Sequence, residues 1–205
     1  MLEAKSAETK GEKTKSRILG LALDLASVKG LENTSIGDVA KVSDLSRSGL
    51  FAHFQSKEQL QVDILKFAAD LFVEAVIKPS QEVDDPLEKL QLLKKNWPGW
   101  YERTEPKIQG GCIFLQAIIE FDDQPGAVRD CLIRQQQSLI KYIGACFAEA
   151  QHRKIFAAGI DKVQFAYEFY SLYIGCNFYR RFFGDSKAKS RFHESIDALF
   201  ERSQR

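Results

Sequence analysis

Arg47, Ser48, Gly49 and His53 form a short polar face behind the capping residue Ser46, and the chemistry this face can do is base recognition. A guanidinium binds guanine O6 and N7 together through its planar fork, while a serine and a glycine beside it keep the surface thin enough for close approach. Lys57 lies within reach of phosphate oxygens, and Thr34, Ser35, Ser46 and Phe51 complete the candidate DNA contacts. A second candidate chemistry is a reactive thiol. Cys112 follows Gly110-Gly111 and opens an apolar helix, whose unpaired amides and dipole lower a thiol pKa. The alternative is a small core residue, the simplest reading of Cys131, Cys146 and Cys176. Other chemistries lack their groups. The three histidines share no nucleophile-base-acid spacing, no glycine loop cradles phosphate, and Asp122 and Asp123 lack metal-ligand spacing, so no catalysis, metal or cofactor is expected.

The elements that must hold the polar face are two short helices and a tight turn. Ser35 caps the first with Asp38 three residues on, and Ile36, Val39 and Ala40 give it an apolar side through Lys41. Ser43-Asp44 breaks it. Ser46 caps the second, with Leu50, Phe51 and Phe54 expected inward, and residues 56–59 fit a capping box that opens a third. In a helix-turn-helix the second helix enters the major groove with its N-terminal residues nearest the bases. Upstream, residues 14–29 read as a supporting helix stopped by Gly30. Lys10, Lys13, Lys15 and Arg17 suggest a basic arm near phosphate, whereas the interleaved Glu3, Glu8 and Glu12 favour a solvated, disordered tail over residues 1–9.

These residues resemble the TetR-type transcriptional repressors. The family's segment T-[TS]-hydrophobic-x-[DE]-[IV]-A, a turn ending in [VL]-S, and [KR]-x-x-[LF]-[YF]-x-[HY]-F-x-[SN]-K-[ED]-x-L is met by Thr34-Ser35-Ile36, Asp38-Val39-Ala40, Leu45-Ser46, Arg47, Leu50-Phe51, His53-Phe54, Ser56-Lys57-Glu58 and Leu60. Asp44 stands where the family usually has a turn glycine, Phe51 lacks a tyrosine hydroxyl that often meets phosphate, and Ala52 is smaller than usual. The stretch GGCIFLQAIIEFDDQPGAVRD is similar, more loosely, to a segment of some of the family's ligand domains. The resemblance implies an all-α protein that represses as a homodimer on a palindromic operator and is released by a small ligand. The alternative is a DNA-binding redox or electrophile sensor switching through Cys112.

The rest of the chain fits that architecture. A net charge of +1 is too weak for nonspecific coating of nucleic acid, so binding must rest on a local patch and paired subunits. No secretory or membrane-spanning segment is legible, since IFLQAIIEF is short and interrupted by Gln116 and Glu120, and a cytoplasmic location is expected. Residues 1–60 read as the DNA-binding domain and residues 61–205 as a helical ligand-binding and dimerisation domain. A segment over 56–77, with Leu60, Ile64, Phe67, Ala68, Leu71, Phe72 and Ala75 as its stripe and Pro79 as its end, spans roughly 33 Å and can carry motion between them. Asp85-Pro86 opens a helix to about Arg103, bent at Pro98-Gly99. Further helices follow at 112–121, after the turn at 122–126, from Asp161, and after Gly184-Asp185.

Two assignments depend on how these helices face. Ala166, Phe169, Tyr170, Tyr173, Ile174, Asn177, Phe178 and Phe182 recur at three- and four-residue spacing, and Phe192, Ile196, Leu199 and Phe200 do so in the last helix. Two such helices pair with their copies in a four-helix bundle, with Tyr173 and Phe192 expected at the interface, or else bury their stripes within one subunit. The candidates to contact a hydrophobic ligand are Trp97, Trp100, Tyr101, Phe114, Gln116, Ile118, Phe121, Phe147, Phe169, Tyr173 and Asn177, with Phe165 and Glu120 as further possibilities. For every aromatic among them a plain core role competes.

Overall fold

Capping residues set where the helices begin and end. The computed structural model describes residues 9–204, all helix, turn or loop among them. Helix α1 (Lys10–Lys29) starts four residues before the apolar periodicity does, because Thr9 and Glu12 form a capping box: Thr9 Oγ1 accepts from the Glu12 amide at 3.2 Å and the Glu12 carboxylate accepts from the Thr9 amide at 2.7 Å. Thr9 is therefore a helix cap, and residues 1–8 of the expected tail lie outside the described residues. Helix α2 (Ile36–Ser43) carries the expected Ser35–Asp38 box, and Asp44 ends it in the left-handed region at φ 55°. The side-chain carboxylate makes that conformation tolerable where a glycine would be usual. Ser46 accepts from the Gly49 amide at 3.0 Å to open α3 (Arg47–Phe51), and Ser56 accepts from the Gln59 amide at 3.0 Å to open α4 (Lys57–Phe72). The box expected at α4 is only half formed, since the Gln59 side chain donates to Asp63 at 2.8 Å instead of turning back.

Two later boundaries differ from the sequence expectation. The α4 path does not stop at Pro79 but passes through a π-helical turn, Val73–Ile77, into α5 (Lys78–Gln81), with Pro79 in its first turn. Proline lacks an amide and crowds the carbonyl four residues back, and the widened turn shifts those carbonyls out of its way. Helix α6 (Pro86–Asn96), capped by Asp85, ends at Trp97-Pro98-Gly99 rather than bending through it. Gly99 takes φ +68° and a 3₁₀ turn, Trp100–Glu102, follows.

Helices α7 (Ile113–Glu120), α8 (Ala127–His152), α9 (Lys162–Phe182) and α10 (Ala188–Ser203) complete the body. Helices α1 to α3 and the start of α4 bury Ile18, Leu23, Val39, Leu50, Phe54 and Leu60 between them. In the body, α8 packs on α6 and α9, and α10 packs on α9. Stacked rings fill the centre: Phe147 lies 4.0 Å from Phe165 and 5.1 Å from Phe156 between centroids. Each such pair adds about 0.5–1.5 kcal/mol beyond the area it buries.

The α10 stripe is spent inside the subunit. Phe192 is 2% exposed, and Ile196, Leu199, Phe200 and Tyr173 are buried with it, so Tyr173 and Phe192 are internal rather than interface residues. What α9 leaves outward is a different row: Val163, Tyr167, Ile174, Phe178 and Phe182, the last 74% exposed. No helix among the described residues is long and apolar enough to cross a membrane.

Candidate functional site

Of the polar face read from the sequence, Arg47, Ser48 and Gly49 lie on α3 and His53 lies in the turn after it. Arg47, Ser48 and Phe51 are exposed, and His53 is half-buried. Gly37 of α2 makes room for the arginine, because a Cβ there would sit 3.1 Å from Arg47 Nη2. Phe51 is 52% exposed instead of pointing inward. Leu50 and Phe54, four apart, already fill the inward row, and the residue after Leu50 is turned about 100° away, onto the face of Arg47. The buried Phe54 ring has Lys15 5.3 Å from its centroid, and Lys15 pairs with Asp63 at 2.7 Å. Lys15 is thus a structural contact at the base of α4, inside a helix and not on a loose arm.

The hydroxyls divide by burial. Thr34 is 0% exposed and donates to the Gly30 carbonyl at 2.8 Å, so it stitches the loop between α1 and α2 and is removed from the candidate DNA contacts. Ser35 is half-buried in its cap. Ser46 is exposed, bonded to the Gly49 amide and 3.0 Å from Ser48 Oγ. Lys57 stands exposed at the start of α4. The Lys29 ammonium at 2.7 Å, then the Ser35 hydroxyl and amide, hold the Asp38 carboxyl well below the usual carboxylate range.

A cavity of about 460 Å³ opens between α4, the π turn, α7, α8 and α9. Of the expected ligand contacts, Trp97, Phe114 and Tyr173 are on its wall, with Cys112 beside them. The others go elsewhere. Trp100, Phe147, Phe165 and Phe169 are core rings. Tyr101 donates to Asn177 Oδ1 at 3.2 Å and accepts from Arg180 at 3.1 Å, which makes Tyr101 and Asn177 parts of a structural network. Gln116 donates to the Gly110 carbonyl at 2.8 Å. Ile118 and Phe121 face a separate groove against α8. Wall residues not picked out as ligand contacts include Val73, Ile77, Gln135, Leu139, Tyr142 and Tyr170. A signal existed for one group: 135, 139 and 142 are spaced four and three apart, so a glutamine falls on an otherwise apolar row of α8.

Cys112 does not behave as a helix-terminus thiolate. It is 2% exposed, and burial pushes its thiol upward in spite of the Tyr173 hydroxyl and the Leu115 and Phe114 amides. Desolvation outweighs the helix end here, so the expectation of a lowered pKa is corrected.

The cavity wall and the α1–α3 unit are physically joined. One face of α1 receives the loop before α7: the Asp24 carboxylate accepts from the Gln109 amide at 2.8 Å and Ser27 Oγ accepts from the Gly110 amide at 2.9 Å. A Cβ on Gly20 would lie 2.8 Å from Pro106 Cγ, and one on Gly110 would lie 1.7 Å from the Ser27 carbonyl oxygen. Arg181 of α9 donates to the Gln109 and Gly110 carbonyls at 3.2 and 2.7 Å, clamping the loop from behind. At the far end of α7, Glu120 accepts from the Glu32 amide at 2.8 Å, and Gln124 reaches the Glu32 carboxylate at 3.1 Å. Helix α7 is thus tied to the N-terminal unit at both ends.

Residues 18–63 match the family described as bacterial regulatory proteins, tetR family, and residues 86–196 match the tetracyclin repressor-like C-terminal domain. The transcriptional regulator AcrR of Shigella flexneri is 33% identical over 61 residues, 30% of this chain and 28% of that protein, so the match spans just over a quarter of the relative's length. A TetR transcriptional regulator from Chloroflexus aurantiacus superposes with a TM-score of 0.85 at 21% identity, covering 95% of this chain and 97% of that one. The structure of AibR in complex with isovaleryl coenzyme A and operator DNA gives a TM-score of 0.69 at 20% identity, over 91% of this chain and 97% of that one. With its capped reading helices inside one matched region and most of its helical body inside the other, this chain belongs to the TetR family of DNA-binding transcriptional regulators.

Proposed function

We infer that the protein is a homodimeric repressor that grips an inverted-repeat operator with two copies of α3 and lets go when a small apolar molecule occupies the 460 Å³ cavity. The observation that carries this reading is α7, which forms cavity wall through Phe114 and Leu115 and is bonded at both ends to α1 or the loop after it. A ligand that displaces that wall pulls on the base of the reading unit, and α4, whose Phe72 lines the same cavity, moves with it. Half-sites on one DNA face lie about 34–36 Å apart, so a few ångströms of change in head separation lifts one α3 from its groove. The ligand must favour the DNA-incompetent form, and a coupling of about 1–3 kcal/mol changes operator affinity roughly 5–150-fold. AibR, whose structure holds isovaleryl coenzyme A and operator DNA together, supports the narrower point that this fold has separate places for a small molecule and for DNA.

Dimerisation is assigned to the exposed row of α9, from Val163 to Phe182. Such a contiguous apolar strip, rimmed by polar residues, is the usual mark of a protein interface. Action on chromosomal DNA goes with a cytoplasmic location. The test uses the DNA adjoining this protein's own coding region, searched for an inverted repeat and titrated at several salt concentrations. Binding to the repeat with a steep salt dependence, by two chains per site or a multiple of two, is expected. Equal affinity for the repeat and for a scrambled duplex overturns the reading.

A further inference from the structure

The cavity is lined by rings, yet two of its buried polar atoms have nothing to bond. Tyr173 is 2% exposed, and its hydroxyl has no hydrogen-bond partner even though the Cys112 thiol and the Trp100 indole lie near it. Burial keeps that phenol protonated far above neutral pH, so it is a donor in search of an acceptor. On α8, Gln135 donates its amide to the Leu65 carbonyl at 3.2 Å, which leaves its Oε1 buried without a hydrogen-bond partner. The neighbouring polar groups are already paired: Tyr170 with Gln136 at 2.7 Å and Tyr142 with Ser80 at 2.8 Å. An unpaired buried polar group costs free energy, and two of them in the lining of one cavity mark where a guest's own polar atoms belong.

The wall also excludes by charge. Among the described residues no aspartate or glutamate lines the cavity, and the one charged residue in its lining, Arg134, is exposed. A cation gains ring contacts but meets no counter-charge and an arginine in the lining, while an anion buried deep loses its hydration for a single hydroxyl donor. The Trp97 and Tyr173 rings in the lining stack on each other, 4.4 Å apart between centroids.

Resting on the reading of this cavity as the release site, we propose that it selects uncharged aromatic molecules carrying an acceptor oxygen for Tyr173 and a hydroxyl or N–H donor for Gln135. A hydroxylated aromatic ketone is the simplest member of that class.

A matched probe series tests this by calorimetry on the full chain without DNA. 4-Hydroxybenzophenone carries both groups, 4-methylbenzophenone lacks the donor, 4-benzylphenol lacks the carbonyl, and 4-benzoylbenzoate and (4-benzoylphenyl)trimethylammonium add a charge of either sign. The hydroxyketone is expected to bind tightest, each single deletion to cost about tenfold, and the two ions to bind weaker still. Tyr173→Phe should weaken both neutral ketones about tenfold and leave 4-benzylphenol unchanged, a difference that a merely packed tyrosine would not produce. Gln135→Met should weaken the two phenols and spare 4-methylbenzophenone. The proposal is overturned if Tyr173→Phe shifts every probe alike or none, if the cation binds best, or if no probe binds. Because operator binding is titrated without any ligand, these failures leave the repressor reading standing or falling on its own assay.

Discussion

The reading unit and the helical body solve opposite problems with their polar groups. In the reading unit, the side chains proposed to meet DNA sit in water on α3, only five residues long, and the backbone is fixed by caps: Ser35 with Asp38, Ser46 with Gly49, Ser56 with Gln59. In the body, polar atoms are buried among rings, and two in the cavity lining, on Tyr173 and Gln135, are left without partners. An exposed site must be held in place from below, since solvent satisfies its groups whether or not the ligand is there. A buried site can be selective without moving, because each unpaired atom penalises every guest that fails to match it.

The sharpest way to break this contrast is to put a charge on the outward row of α9 and another on the α10 stripe packed against its inner face. Phe182→Glu on the outward row should split the dimer while the chain stays folded, shifting the association by about 3–5 kcal/mol as an unpaired carboxylate is buried. Phe192→Glu, inside the subunit, should unfold it instead. Sedimentation and circular dichroism together tell the two apart, and a folded Phe192→Glu monomer would contradict the assignment of faces. On the reading unit, Arg47→Ala should cost about 1–3 kcal/mol on the operator and little on random duplex, whereas Lys57→Ala should weaken both, as titrations against the two DNAs will reveal. Ser46→Ala removes the α3 cap together with a candidate DNA contact. It should cost about 1 kcal/mol of stability, read from denaturant melts, with a loss of operator affinity although Arg47 is untouched.

The smallest effect is one of pH. The folded Asp38 carboxyl is depressed, so its contribution is present above the ordinary carboxylate pKa of about 4 and fades as pH falls below it. Melting curves of the wild type and Asp38→Asn should therefore converge in acid. A constant gap from pH 7 down to pH 2 would show that the carboxylate's charge is irrelevant to the cap.

The two regions also differ in how far a sequence discloses them. The caps at Ser35 and Ser46, the break at Asp44 and the inward Leu50 and Phe54 were legible because each rests on neighbours within four residues. The wall of the cavity was not. Phe169 and Tyr173 share one helix row four residues apart, yet the first is core and the second is wall, a difference fixed only by where α6, α7 and α8 come to lie. Helix α9 misled in another way, carrying apolar residues both inward, at Ala166, Phe169 and Tyr173, and outward, at Tyr167, Ile174, Phe178 and Phe182. Both rows have helical spacing, so they merge into one stripe on paper. The unpaired atoms of Tyr173 and Gln135 have no sequence signature, since the lack of a partner is a property of the packed state.

Gly110 carries a consequence for genetics. Its backbone amide rests on Ser27 Oγ, and the space where a first side-chain carbon would go is filled by the Ser27 carbonyl, so even alanine forces the loop off α1. In a saturation library scored for repression, the four glycine codons at this position should be the ones that survive, while Phe51 or Ser48 on the DNA-facing surface tolerates several replacements. The most intolerant codon would then mark neither a base contact nor a ligand contact but the seam between two modules, and breeding a new inducer response into this scaffold would begin by leaving that codon alone.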